Sequence, residues 1–161
     1  MRILLSFVFV FLLGINTVFA GTADDYGAKA ALQQEQLSVQ QMLEFAIEDE
    51  YLARSEYLSV LDSFGQIRPF VNIVRAEERH IDLLIPLCVD RGWDVPVDNS
   101  RDKALGVDTL AAAFVQAQAI ETDNIAMYEH FLQQDNLPED VQFVFSRLLS
   151  ASQKHLASFS R

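Results

Sequence analysis

Ala76-Glu77-Glu78-Arg79-His80 is the stretch on which both fold and chemistry turn. It lies within the stripe Phe70, Ile73, Glu77, His80, Leu84, Leu87, whose steps of three and four place every member on one helix face. That face is otherwise apolar, so Glu77 and His80 fall at core positions. Three further stripes repeat the pattern. Glu50 interrupts Ala46, Ala53, Tyr57, Val60 and Phe64, and Glu121 interrupts Leu110, Phe114, Ala117, Asn124, Tyr128 and Phe131. His155 interrupts Val141, Phe145, Leu148, Ser152 and Phe159. Three carboxylates and two imidazoles are thereby expected in an apolar interior. Ionised carboxylates gather there only with a counter-charge, and a bound metal is the usual one.

The punctuation around these stripes predicts four long helices. Ser38 with Gln41 reads as a capping box for a helix over Val39 to Phe64, which Gly65 ends. Pro69 opens a second helix reaching Arg91 before Gly92, with Pro86 expected to kink its last turns. Asp108 is the expected cap of a third helix reaching about Gln134. Asn136 and Glu139 read as a capping box around Pro138 for a fourth, ending near Phe159. No strand pattern competes with these.

The first and third connections are short, which forces antiparallel hairpins. The middle one, Trp93 to Val107, has 15 residues. Extended, it spans about 50 Å, more than the ~39 Å of a 26-residue helix. It is long enough to cross the whole bundle, with Trp93 as its expected anchor. The expected fold is all-α: a ferritin-like four-helix bundle, two antiparallel hairpins joined by a long crossover. The halves also echo each other, since Glu50 and Tyr57 are seven apart, as are Glu121 and Tyr128.

At the N-terminus, Arg2, the apolar run Ile3 to Ile15 and the small residues Val18 and Ala20 read as an export signal over 1–20. The run is too short and too quickly interrupted for a membrane span. Residues 21–37 are expected to form a tail running into a helix, and 38–161 the bundle. A periplasmic or secreted location follows. Cleavage after Ala20 would leave 11 basic against 23 acidic residues. That balance makes nucleic acid and anionic membranes poor partners. Cys88 is the single cysteine and sits in an apolar run, so no intramolecular disulfide forms and no chemistry is assigned to it.

Glu77 and His80 form a complete Glu-x-x-His, whose i, i+3 spacing aims both side chains at one ion. Glu50 and Glu121 are lone carboxylates on two other helices, and the fourth helix offers Ser152-x-x-His155, one carboxylate short of a full di-metal set. The candidate metal ligands are therefore Glu50, Glu77, His80, Glu121 and His155. With neutral imidazoles they carry −3, which one or two divalent ions would balance. Mixed nitrogen and oxygen donors suit iron, manganese or zinc. Tyr57 and Tyr128 are open to two readings, core packing or hydrogen bonding to a ligand. Asn124 could orient a ligand or satisfy another buried group. Glu56, Glu78 and His130 are expected to face solvent.

The segments Glu50-Tyr51-Leu52-Ala53-Arg54-Ser55-Glu56-Tyr57 and Ala76-Glu77-Glu78-Arg79-His80 resemble the first two metal-binding helices of rubrerythrin-type ferritin-like proteins. Over about residues 38 to 159 the chain is more similar to a ferritin-like family of unknown function found in bacteria and archaea. That likeness rests on Leu52-Ala53-Arg54 with Tyr57, Ala76 to His80, Ile120-Glu121 and Leu148 to Leu156. The resemblance implies a non-haem di-iron centre, with the same five residues as ligands, and reduction of peroxide or activation of oxygen. Ser152 departs from the pattern, and there is no rubredoxin-type cysteine cluster, so an electron donor would be external.

Three functions compete on these grounds. One is a non-haem iron oxidoreductase with a di-iron or mixed-metal site, or a single ion in a half-filled one, reducing peroxide or activating oxygen. Another is an envelope protein that binds or sequesters metal without turnover. The last is a metal-free structural bundle with a degenerate site. A homodimer is compatible with each.

Overall fold

The computed structural model describes residues 25–161; the expected export signal lies outside them. Among the described residues the chain is all-helical, with five α-helices: α1 (Gly27–Ala31), α2 (Val39–Phe64), α3 (Phe70–Val89), α4 (Leu110–Leu132) and α5 (Glu139–Phe159). No helix among them is long and apolar enough to cross a membrane.

Local chemistry sets most of the boundaries. Ser38 caps α2 as read, its side chain accepting from the Gln41 N–H while Gln41 reaches back to the Ser38 backbone. Gly65 takes φ +85°, a left-handed conformation that favours glycine, and α2 stops there. Pro69 precedes α3, which continues through Pro86 to Val89. Two expected caps are corrected. Thr109, not Asp108, caps α4 by accepting from the Ala112 N–H at 3.1 Å. Helix α5 has no side-chain cap, because Asn136 turns into the left-handed region (φ 59°) and Pro138 occupies the N-cap position. Glu139 and Asp140 place negative charge in that first turn, where the helix dipole favours it.

Contacts between rings and side chains set the directions. Helix α2 packs along α3 with Tyr57 against Phe70, two turns beyond the level where Glu50 meets His80, so the two are antiparallel. Helix α4 runs antiparallel to α5, with Phe114 against Phe159 and Tyr128 against Phe145. Tyr57 meets Glu121 while Glu50 meets Tyr128, so α2 and α4 are antiparallel as well. Helices α3 and α4 therefore point the same way, and the chain after Val89 must return along the bundle. It does so against α2: Arg54 pairs with Asp98, Ser55 with Ser100 at 2.6 Å, and Glu56 accepts from the Leu105 N–H at 2.6 Å. Trp93 packs against the core at the start of this return, beneath the Arg91 guanidinium.

The stretch expected as a tail contains α1, and α1 is packed. Its small residues Ala28 and Ala31 are buried, and its first amides donate into α2, Gly27 to Glu48 at 3.2 Å and Ala28 to Asp49 at 2.9 Å. Gly27 has φ +56°, and an added Cβ would lie 2.8 Å from Asp49 Oδ1. His130, expected at the surface, is half-buried and ties the α1–α2 link to α4 through the Gln34 carbonyl at 2.8 Å.

The interior divides into two apolar clusters. One gathers Leu43, Ile47, Leu84, Phe131, Phe145 and Leu148; the other gathers Ala53, Tyr57, Phe70, Ile73, Ala117 and Phe159. Each fully buried large side chain contributes on the order of 2 kcal/mol from burial. Between the clusters lies a layer of charged and polar groups.

Candidate metal centre

The five predicted ligands occupy that layer. Glu50 and Glu121 are completely buried, and Glu77 and His80 are buried at 1% and 8% exposure. His155 is half-buried, with 11% of its side chain exposed. They form two triads sharing one residue: Glu50, Glu77 and His80, and Glu77, Glu121 and His155, each offering ligand atoms that all lie within 4.8 Å of one another. Four helices supply them, α2 giving Glu50, α3 giving Glu77 and His80, α4 giving Glu121 and α5 giving His155.

Glu77 joins the halves. Its Oε2 lies 2.8 Å from His80 Nδ1, and its Oε1 lies 3.2 Å from His155 Nδ1. Glu50 Oε2 completes the first triad at 3.1 Å from His80 Nδ1, and Glu121 Oε1 the second at 3.4 Å from His155 Nδ1. The imidazoles lie nearly parallel, with centroids 5.6 Å apart.

The two tyrosines cap the arrangement crosswise. Tyr57 donates to Glu121 Oε1 at 2.7 Å, and Tyr128 donates to Glu50 Oε1 at 2.7 Å. The seven-residue Glu–Tyr spacing recurs on two antiparallel helices, so each phenol reaches the other helix's carboxylate rather than its own. Neutral phenols suit this duty, since burial followed by the nearby carboxylates pushes both well above the usual tyrosine range.

The electrostatics show strong coupling. Burial raises Glu50 to about 7 despite the opposing pull of His80. Burial also raises Glu121, against the pull of the adjacent His155 imidazole. For Glu77 burial acts upward too, but the close His155 and His80 imidazoles outweigh it and hold the carboxyl below its usual range. Burial alone would lower the imidazoles; the carboxylates overcome it, lifting His80 to about 10 and His155 to about 9. Protonated rings would offset two of the three carboxylate charges and leave one unbalanced. A divalent cation competes for the same place, because a ligating imidazole must be neutral.

The donor set fits a cation on a further ground. Glu77 Oε1, Glu121 Oε2 and His155 Nδ1 are buried without a well-formed hydrogen bond. Orphaned donors and acceptors of this kind are costly unless something satisfies them. All three belong to the Glu77, Glu121 and His155 triad, which could therefore hold a metal ion.

Other residues fall outside the triads. Ser152, one turn before His155, is buried at 2% exposure. Asn124 is buried with Oδ1 unpartnered, in the wall of a cavity of about 160 Å³ beside α1 that it shares with Asp49. Glu78 faces solvent as expected, but Glu56 does not: it is 6% exposed and accepts from the Leu105 N–H and the Gln116 amide. Its fate is set by the return segment lying over α2, which a helix-face pattern does not report. Asp49 is a further buried carboxylate off the apolar stripe, covered not by the return segment but by α1, where it accepts from the Ala28 N–H.

No protein-family model matches this chain, nor does any curated protein. A solved structure does: the crystal structure of a hypothetical protein from Methanococcus jannaschii superposes with a TM-score of 0.66 at 24% identity, covering 78% of this chain and 81% of that one. The likeness establishes a shared helical-bundle fold.

Proposed function

We propose that this chain is an exported, ferritin-like metal protein whose two triads hold a pair of divalent transition-metal ions, iron first among them, with manganese and zinc as alternatives. The observation that carries the proposal is the position of Glu77, whose two oxygens face different imidazoles at 2.8 and 3.2 Å. A carboxylate shared between two nitrogen donors, each also beside its own terminal carboxylate, is the pattern of a bridged metal pair. Glu50 with His80 would hold one ion and Glu121 with His155 the other. Tyr57 and Tyr128 orient the terminal carboxylates and screen their charge; such supporting bonds commonly matter 10- to about 100-fold in metal affinity. The apolar clusters close the layer above and below, along the bundle axis.

Bound iron would supply electron transfer to peroxide or oxygen, which makes a non-haem iron oxidoreductase the leading reading. The chain lacks a cysteine cluster of its own, so its electrons would come from an external donor. Ser152 favours a second reading, metal binding or sequestration without turnover, because it stands where a further bridging carboxylate would complete the set. The export signal read at residues 1–20 would place either activity in the periplasm or outside the cell.

Elemental analysis of the protein purified from its own compartment tests the proposal. Two transition-metal ions per chain are expected, and a chain that neither carries nor takes up such ions would remove it. Peroxide or oxygen consumption by the iron-loaded protein with a reductant then separates turnover from storage.

A further inference from the structure

The metal layer opens to the surface through a cavity of about 420 Å³ between α3 and α5, lined by Ala76, Arg79, His80, Leu83, Arg147, Ser150, Ala151, Lys154 and His155. It contains both imidazoles of the site and, beyond them, three cationic side chains and no carboxylate. That composition is unusual for a chain of net charge −11. Three other cavities carry two or three carboxylates each, such as Asp62, Glu78 and Asp98 in one and Glu44 and Asp94 in another.

The cations are also available. Arg79, Arg147 and Lys154 are exposed, and among the described residues none of them is ion-paired, whereas Arg54 and Arg91 are paired with Asp98 and Asp140. An unpaired cation in a concave site focuses potential into it and raises the local concentration of anions. Arginine in particular suits planar oxyanions through paired N–H donors. Ser150, half-buried in the same wall, adds a hydroxyl that can donate. The ligand side chains differ in accessibility in the same direction: those of His80 and His155 are 10% and 11% exposed, those of Glu50, Glu77 and Glu121 1% or less.

We propose that this groove is a binding site for small oxyanions, phosphate-sized or carboxylate-bearing, and that the centre receives an anionic co-ligand, separate from any neutral oxidant, on the imidazole side. The second clause rests on the metal-centre reading; anion binding itself does not. The groove cations attract the anion and hold it against the imidazole edges. Neutral molecules gain nothing from them.

The test is calorimetric titration of inorganic phosphate into the full chain at low ionic strength, both metal-stripped and metal-loaded. The parent is compared with Arg79→Gln/Arg147→Gln/Lys154→Gln and with a control of equal net charge, Arg68→Gln/Arg101→Gln/Arg161→Gln, whose positions are exposed and away from the groove. In the metal-stripped protein the groove variant should lose about tenfold or more in affinity, the control about twofold or less, and the parent should weaken with added salt. Lys154→Gln alone, expected to lose part of the effect, serves if the triple variant misfolds. Equal losses in groove and control variants, or no phosphate binding by the parent, would overturn the proposal. Metal counted per chain keeps the two readings apart. Ions retained without discrimination for phosphate sink the anion site alone, and discrimination without retained ions sinks the metal centre alone.

Discussion

Glu77→Gln is the substitution that separates a bridged metal pair from two unrelated buried triads. Its oxygens serve both imidazoles, whereas Glu50 and Glu121 each belong to one half. Losing Glu77 should therefore abolish binding of both ions, and losing Glu50 or Glu121 should abolish one. At a free metal concentration a hundred times the dissociation constant, each ion stabilises the native state by about 2.7 kcal/mol. For a domain of this size about 1 kcal/mol moves the melting temperature by roughly 4 °C. Metal addition should raise the parent's melting temperature by about 20 °C, Glu50→Gln and Glu121→Gln by about 10 °C, and Glu77→Gln hardly at all. The metal-induced difference is the quantity to compare, because removing one partner of a buried ion pair itself costs about 3–5 kcal/mol. Thermal melts with and without metal, alongside metal counted per chain, give the answer. A Glu77→Gln protein that folds, keeps two ions and shows the parent's full response would refute the reasoning.

The crossed phenols make a sharper demand on pairing. Tyr57→Phe should weaken the ion held by Glu121 and His155 by about 10- to 100-fold while sparing the Glu50 half, and Tyr128→Phe should do the reverse. The test is Tyr57→Phe introduced into Glu50→Gln and into Glu121→Gln, with affinity measured for the ion that remains; a larger effect in the Glu121→Gln background would contradict the crossing. Glu56 supplies a pH signature away from the metal layer. Burial raises its carboxyl above the usual range, against the pull of the Leu105 and Gln116 donors, so the folded state binds a proton more tightly than the unfolded one. Its contribution is accordingly full at low pH and is lost as pH rises through the folded value, with a slope of at most about 1.4 kcal/mol per pH unit. Glu56→Gln should gain on the parent in urea melts between pH 5 and 8 with metal removed, and a variant falling behind as pH rises would reverse the sign. At the amino end, Gly27→Ala should cost more than about 1 kcal/mol, since the residue is left-handed and its Cβ would strike Asp49. Proteolysis near residue 30 should become faster, and unchanged protection there would show that α1 tolerates the side chain.

The readable and unreadable parts of this molecule divide by the range of the forces involved. Helix α2 begins and ends where it was expected because Ser38, Gln41 and Gly65 act on their own neighbours. The caps of α4 and α5 lie a residue or more from the positions local sequence favours, since adjacent candidates such as Asp108 and Thr109 compete and loop geometry decides between them. Helix α1 leaves no local signature, because its stabilising acceptors, Glu48 and Asp49, lie 21 residues away and its small residues give no apolar stripe. The exposure expected for Glu56 and His130 failed likewise, as the groups that cover them belong to distant segments.

For the candidate site, the amino-acid order alone determined which residue types sit on the inward faces of four amphipathic helices, since periodicity of three and four is a property of each helix by itself. Which carboxylate is shared, which phenol serves which half, and which side opens to solvent were decided only when the helices packed. Those are relations between side chains on different helices. Helix direction and register set them, and neither is carried by the periodicity of any single segment.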